Sequence, residues 1–276
     1  MSRLHAGRAI SIAALLLLAT LGGCLGPRRD LGPVLPPLPY QAAVDVVNQN
    51  LSAIHGTLRA SGSVDGFFRN DRGRPVSYSV NGVLFYHEPI FLRFDLKKLG
   101  DRQLMFGSNA THYWVYTREG DRYVCGRQDD PQGVPADMAI RPDQIPAALG
   151  LSPIAAAGGA ARHEHRVLGG AQQILFLAHD GRGVEQEYWL DRRAPRLVRR
   201  VVFRNPAGAV MMVSELSDYR RLGEGGPFLP YLMVAHWPQE NARMEFDVGK
   251  WEIVPQVQPD SPQFALPVEC LSTSNQ

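Results

Sequence analysis

The reactive side chain that stands out first is the thiol of Cys24, which follows Gly22 and Gly23 at the end of the apolar run 9–21. A basic start, an apolar run of about a dozen residues and small residues at its end are typical of a secretory signal peptide. The run is shorter than the ~20 apolar residues that a membrane-spanning helix needs. We therefore expect residues 1–23 to be a signal peptide.

The stretch Leu21-Gly22-Gly23-Cys24 resembles the bacterial lipobox, in which a leucine and two small residues precede an invariant cysteine. The resemblance implies that Cys24 carries a lipid anchor and that the chain is cut just before it. An Asp after the cysteine holds such proteins at the inner membrane, so Leu25 favours the periplasmic face of the outer membrane. The alternative is an ordinary signal peptide in which Cys24 is incidental.

Residues 24–40 are predicted to be a lipidated tether, because five prolines fall between Gly26 and Tyr40. Proline favours an extended, semi-rigid chain. The whole chain has 29 Lys and Arg against 27 Asp and Glu. Removing Arg3 and Arg8 with the signal peptide leaves 27 against 27, and a neutral chain argues against a nucleic-acid partner.

Other residues with catalytic or ligating potential are scattered. The pair His163 and His165 could hold a metal, but no further ligands lie nearby in sequence, and a solvated loop is strongly favoured. No nucleophile elbow, P-loop or dinucleotide motif is present. We therefore predict a protein that is not an enzyme and needs no cofactor or metal. The competing hypothesis is an envelope hydrolase that uses one of four histidines: His112, His163, His165 and His236.

Two further sets of residues leave alternatives open. Cys125 and Cys270 could form a disulfide in an oxidising compartment or remain two buried thiols. An arginine cluster could contact anionic lipid head groups or simply form the polar face of a strand. Its members are Arg192, Arg193, Arg196, Arg199, Arg200 and Arg204.

The elements that must position these residues are one helix and many strands. Val44, Val47, Leu51 and Ile54 recur at helical spacing, which predicts a helix over 41–55. After the helix, apolar and polar residues alternate in short runs separated by turn sequences, which predicts sequential antiparallel strands. The exception is 127–162, where Pro, Ala and Gly interrupt the pattern and short helices near 142–149 are expected to cover an apolar surface.

This order of elements resembles the periplasmic lipoprotein-carrier superfamily, the LolA/LolB-like proteins. The resemblance spans roughly 41–267 and is carried by Gly82-Val83-Leu84-Phe85-Tyr86, by Pro89-Ile90-Phe91-Leu92-Arg93-Phe94-Asp95 and by Phe264-Ala265-Leu266-Pro267. It implies an α+β fold: a curved antiparallel sheet of about eleven strands, a half-barrel, wrapped around the N-terminal helix with a short helical lid. It also makes Arg93 the candidate for the arginine that closes the carrier's cavity. The family's receptor inserts into membranes through an exposed loop leucine, for which the sequence offers no match.

We accordingly expect a lipid-binding domain over 41–268, followed by a tail over 269–276. One fifteen-residue helix cannot fill a strongly curved apolar sheet, so a cavity suited to acyl chains should remain. The predicted function is binding of lipid or lipoprotein acyl chains for transport or outer-membrane assembly; the alternative is an envelope scaffold that binds a protein partner. The large or soft side chains expected to contact lipid are Phe85, Phe94, Phe106, Trp114, Tyr116, Tyr188, Met211, Met212, Met233 and Trp237.

Overall fold

The computed structural model describes residues 32–69, 73–119, 121–130, 142–154, 163–167, 171–178, 185–205 and 207–273. Cys24, the signal peptide and most of the tether lie outside these residues. Val34–Gln276 form one compact unit. No helix in the described part of the chain is both long enough and apolar enough to cross a bilayer.

A single antiparallel sheet dominates the molecule. Its strand order is β6-β5-β4-β3-β2-β1-β13-β12-β11-β10-β9-β8-β7. Strands that follow each other in the chain are therefore paired, except β6 and β7, which form the two edges, and β1 pairs with β13. The predicted fold class is confirmed, with thirteen strands described where about eleven were expected. The strands are β1 Leu58–Arg69, β2 Pro75–His87, β3 Phe91–Lys98, β4 Asp101–Ser108, β5 His112–Thr117, β6 Arg122–Arg127, β7 His163–Val167, β8 Gln172–Ala178, β9 Glu185–Asp191, β10 Val198–Arg204, β11 Val210–Arg221, β12 Phe228–Trp237 and β13 Ala242–Ile253.

Helix α1, Tyr40–Ser52, packs on the inner face of the sheet. Its residues Ala43, Val44, Val47 and Leu51 are buried, as helical spacing requires for one apolar stripe. The helix ends three residues before the predicted boundary. We call the face of the sheet that contacts α1 the inner face and the opposite one the outer face.

A second segment also covers the inner face. It consists of the 3-10 turn Pro142–Gln144, helix α2 Ile145–Ala148 and the chain onward to Ile154, and we call it the lid. Gly150 has φ +68°, a conformation that glycine adopts without strain, and it ends the lid helix. A further 3-10 turn, Pro262–Phe264, precedes helix α3, Val268–Thr273.

The last residues of the predicted tether are part of the domain rather than a free spacer. The side-chain amide of Gln173 in β8 accepts a hydrogen bond from the Leu38 amide (3.0 Å) and donates one to the Leu38 carbonyl (2.6 Å). Arg192 donates to the Leu35 carbonyl (2.9 Å) and Arg196 to the Pro36 carbonyl (2.7 Å). The chain therefore enters the domain beside the β9–β10 turn, which we call the tether end of the sheet.

Candidate functional site

An apolar wall forms on the inner face where β3 and β4 approach β11 to β13. In the strand register Phe94 lies directly opposite Phe106, and Met233 lies directly opposite Phe246. The rings of Phe94 and Phe246 are 5.0 Å apart at an angle of 41°. Because strand side chains alternate between faces, these residues share one side of the sheet. The wall consists of Phe94, Phe106, Met212, Met233, Trp237 and Phe246.

The lid lies over this wall and packs into the same apolar core. Ile145, Leu149, Leu151 and Ile154 are all buried, with Leu151 only 1% exposed. The remaining cavity between lid and wall measures about 40 Å³. A typical small-molecule site measures roughly 300 to 1,000 Å³. Among the described residues, the space between lid and wall is therefore narrower than the cavity expected from the sequence, because a second apolar segment shares the inner face with α1.

Three polar side chains hold the lid in place. The side-chain amide of Asn48 in α1 donates to the Ile154 carbonyl (2.9 Å) and accepts from the Ile154 amide (2.9 Å). Ser214 in β11 donates to the carbonyl of Ala148 (2.5 Å). Ser152 is hydrogen-bonded to the hydroxyl of Tyr86, whose pKa is raised chiefly by burial. The lid is thus attached through a few polar contacts to α1, β2 and β11.

The polar atoms that face this cavity are few. Ser214 is 2% exposed, and the only hydrogen bond that its hydroxyl makes to a described residue is the one to the lid. The indole nitrogen of Trp237 is buried and has no hydrogen-bond partner within the described part of the chain. A buried indole N–H usually finds an acceptor. Both groups are hydrogen-bond donors on the inner face; Ser214 has its acceptor on the lid, and the Trp237 indole has none among the described residues.

The structure brings together five of the ten predicted lipid-contact residues: Phe94, Phe106, Met212, Met233 and Trp237. Tyr188 is buried on the inner face of β9, away from the cavity. Met211 lies within the register shift between β10 and β11 and is half-buried, outside the cavity lining. Two further residues that line the cavity, Met244 and Phe246, were not among the ten, although they follow the same alternation along β13.

Phe85, Trp114 and Tyr116 lie on the outer face. Trp114 packs with Met105 and Cys270 beneath α3, and a Cβ at Gly107 would lie 2.1 Å from the Trp114 ring. That position therefore requires glycine.

Cys125 and Cys270 are joined by a disulfide with a Cα–Cα distance of 5.7 Å. The domain therefore continues past residue 268 into the segment predicted as a tail.

Arg93 does not face the cavity. It alternates with the inner residues Leu92 and Phe94, and its guanidinium pairs on the outer face with Asp95 (2.7 Å). Asp95 also binds Arg102 (2.7 Å). The carry-over of a cavity-closing role to Arg93 is therefore wrong, because the strand alternation turns its side chain to the other side of the sheet.

The arginine cluster is largely engaged in contacts within the domain. Arg200 binds Glu215 (2.7 Å), Arg204 binds Glu187 (2.6 Å), and Arg199 lies 3.4 Å from Asp191. These contacts fit the polar face of a strand. They leave the proposed contact with lipid head groups untested.

The two described histidines of the competing hydrolase hypothesis lie on separate strands. His112 begins β5 and His236 lies near the end of β12, and five strands stand between β5 and β12 in the sheet order. The side chains of His163 and His165 lie outside the described residues. Within the part of the chain that is described, no three His, Cys, Asp or Glu side chains cluster as metal ligands.

An exposed leucine that the sequence analysis missed lies in the β3–β4 turn. Leu99 is 97% exposed and has φ +52°, a left-handed conformation that a branched side chain rarely adopts. The turn joins the two strands that carry Phe94 and Phe106, and it follows Lys97 and Lys98. The sequence did contain a signal for this exposed leucine. Residue 99, directly before Gly100, occupies a turn position that usually has Asn or Gly, and here it is apolar.

Solved structures with this architecture come from bacterial proteins. An outer-membrane lipoprotein-sorting protein domain from Vibrio parahaemolyticus matches with a TM-score of 0.50 at 13% identity, over 80% of this chain and 95% of its own. A DUF1329 family protein from Desulfovibrio piger gives 0.53 at 11%, over 80% and 96%. A LolA superfamily protein from Nitrosomonas europaea gives 0.52 at 10%, over 83% and 99%.

No family model and no curated protein matches this sequence. At identities of 10% to 13% the likeness to solved structures establishes the fold alone. The chain therefore has the open, curved half-barrel that LolA-superfamily and lipoprotein-sorting domains share.

Proposed function

We propose that this chain is an envelope lipoprotein, anchored to the periplasmic face of the outer membrane through a lipid on Cys24, that binds lipid or lipoprotein acyl chains. The observation that carries the proposal is an apolar wall closed by a separate lid instead of by the strands themselves. An acyl chain needs apolar contacts and few hydrogen bonds, and this wall is apolar with few polar groups. The role is transfer or assembly in the envelope, without catalysis, cofactor or nucleic acid.

Exchange of the lid for an acyl chain is close to balanced in free energy. Burial of four large apolar lid side chains contributes about 6 to 12 kcal/mol at roughly 1.5 to 3 kcal/mol each. A sixteen-carbon chain contributes about 12 kcal/mol at roughly 0.8 kcal/mol for each buried CH₂. A chain that enters can therefore compensate for the lid that leaves, and binding remains reversible.

The Leu99 turn supports a membrane contact beside the pocket. A fully exposed leucine gains free energy by entering the apolar part of a bilayer, and Lys97 and Lys98 suit the anionic surface around it. Leu99→Asp should lower the rate at which bound lipid is delivered to anionic vesicles by at least about tenfold, since one buried leucine contributes roughly 1.5 kcal/mol or more. Its affinity for lipid in solution should be unchanged; a parallel loss of affinity would contradict a role confined to delivery.

The direct test is a titration of soluble protein, residues 25–276, with a fluorescent sixteen-carbon fatty acid, displaced by dipalmitoyl-phosphatidylglycerol. Ala235 lines the cavity, so Ala235→Phe should fill it and weaken binding by at least tenfold. Ala207 is exposed in the β10–β11 turn, so Ala207→Phe is the matched control and should bind like the native protein. Saturable binding that is indifferent to Ala235→Phe would place the lipid elsewhere.

A second candidate, a scaffold lipoprotein that binds a protein partner, is favoured by one observation. The cavity of about 40 Å³ is close to a filled core. Absence of saturable lipid binding in the same titration would support this second function.

A further inference from the structure

The cavity wall carries two hydrogen-bond donors whose arrangement implies something about the ligand. Ser214 and Trp237 both project from the inner face, on the neighbouring strands β11 and β12. Ser214 lies opposite Ala235 in the register, so Trp237 is its diagonal neighbour. Diagonal neighbours on one face of an antiparallel pair are about 7 to 8 Å apart.

Neither donor has a permanent acceptor within the described part of the wall. The indole N–H of Trp237 is buried without a partner. The hydroxyl of Ser214 donates to the Ala148 carbonyl, which belongs to the lid. When the lid leaves, Ser214 therefore loses its acceptor and a second unsatisfied donor appears beside the first.

A purely hydrocarbon ligand would leave both donors buried and unpaired, which is unfavourable. Carbonyl oxygens on the ligand would satisfy them. A lipid with two acyl ester groups carries two such oxygens close together at the head of its chains. The same position in an ether-linked lipid has only weak acceptors.

We propose that Trp237 and Ser214 are specificity-determining residues that recognise the ester carbonyls of a diacyl lipid, and that this site discriminates acyl esters from ethers and free hydrocarbon. The inference rests on the lipid-binding function proposed above. It assigns the indole N–H of Trp237 to one carbonyl and the hydroxyl of Ser214 to the other. Chain burial supplies most of the affinity, and the two hydrogen bonds supply the selectivity.

The test compares two probes that differ only in the carbonyls: dipalmitoyl-phosphatidylglycerol and its dihexadecyl ether analogue. A buried hydrogen bond contributes about fivefold in affinity, so the native protein should prefer the ester by about 25-fold. Trp237→Phe and Ser214→Ala should each reduce the preference to about fivefold. The double variant should bind both lipids equally.

Trp114→Phe, on the outer face, is the matched control and should keep the full preference. A readout on the unaltered protein guards against a poorly folded variant. In ¹⁵N-labelled protein the Trp237 indole proton, assigned with Trp237→Phe, should move downfield with the ester lipid and not with the ether.

Equal affinity of the native protein for the two lipids, or an unmoved indole proton, would overturn this inference while the lipid-binding function stands. Binding of neither lipid would remove the proposed function and this inference together.

Discussion

Two asparagines in α1 perform the same contact on two different regions of the molecule. Asn50 donates to the Phe228 carbonyl (3.0 Å) and accepts from its amide (2.8 Å), which joins the helix to β12. Asn48 makes the equivalent pair of bonds to Ile154, which joins the helix to the lid. One clamp holds the helix to the sheet, and the other holds the lid to the helix.

The difference lies in what each clamp secures. Both segments pack into the same apolar core, but α1 is a thirteen-residue helix, whereas the regular part of the lid is a four-residue helix after a single 3-10 turn. An isolated helix of that length has no stability of its own. We infer that α1 is structural and that the lid is the part that ligand displaces.

The largest expected difference in stability comes from truncating one buried leucine in α1 and one in the lid. Leu51→Ala in α1 should lower the free energy of global unfolding by about 2 to 5 kcal/mol, because it leaves a void beneath a helix that opens only when the whole domain unfolds. Leu149→Ala in the lid should lower it by less than half as much, since local opening of the lid limits the loss. Urea denaturation followed by circular dichroism measures both.

For the rate of lipid uptake, the lid variant should have the larger effect of the two. Leu149→Ala should accelerate binding of the fluorescent fatty acid in stopped-flow experiments, while Leu51→Ala should not. If Leu51→Ala and Leu149→Ala lower the free energy of unfolding equally, the lid and α1 unfold as one unit. The distinction between a displaceable lid and a fixed helix would then be wrong.

The asparagine pair gives a smaller but better matched contrast. Asn50→Ala and Asn48→Ala each remove two hydrogen bonds, which contribute roughly 0.5 to 1.5 kcal/mol apiece. Asn50→Ala should therefore lower the midpoint of global unfolding. Asn48→Ala should mainly raise the rate of lipid uptake, by about tenfold if opening requires breaking both bonds.

Hydrogen exchange locates the two effects. Asn48→Ala should increase exchange in 145–154 without changing β12, and Asn50→Ala should do the reverse. Faster lipid uptake in Asn50→Ala alone would show that the helix, not the lid, controls entry.

The smallest expected effect is a loss of stability at alkaline pH, and it comes from two buried tyrosines on the inner face, Tyr188 and Tyr219. Burial raises the pKa of Tyr188 and Tyr219 above the ordinary value near 10. A raised folded-state pKa favours the neutral phenol, so this contribution to stability is complete below about pH 10 and is lost as pH rises further. Tyr219 also donates to the Val198 carbonyl (2.6 Å).

Absorbance at the tyrosinate band should show that these two phenols ionise only when the protein unfolds. In Tyr219→Phe, one tyrosine fewer should ionise at the pH at which the protein unfolds. A smooth titration of all tyrosines before any loss of circular dichroism would be inconsistent with their burial.

Much of the fold could be predicted from alternation and helical spacing. The apolar stripe of α1, the antiparallel order of strands and the short helices near 142–149 are all local patterns. Local periodicity does not say which of two apolar faces becomes the inner one. Trp114 and Phe106 have equally good patterns, yet Trp114 lies beneath α3 and Phe106 lies in the wall.

The candidate site was harder to predict because it depends on long-range contacts. The lid closes the cavity through Asn48 and Ser214, which are separated from their partners by 106 and 66 positions in the sequence. No local pattern encodes those contacts. The docking of Leu35 and Leu38 on Arg192 and Gln173 was missed for the same reason, since a proline-rich segment has no periodicity that would indicate a partner.

The most direct test of the account is to incubate soluble residues 25–276 with envelope lipid vesicles, separate the protein, extract it with chloroform and methanol, and measure bound lipid by mass spectrometry. We predict about one diacyl lipid for each protein molecule, with faster loading in Asn48→Ala than in Asn50→Ala. Extracts free of lipid from the native protein and from Asn48→Ala would contradict the central claim.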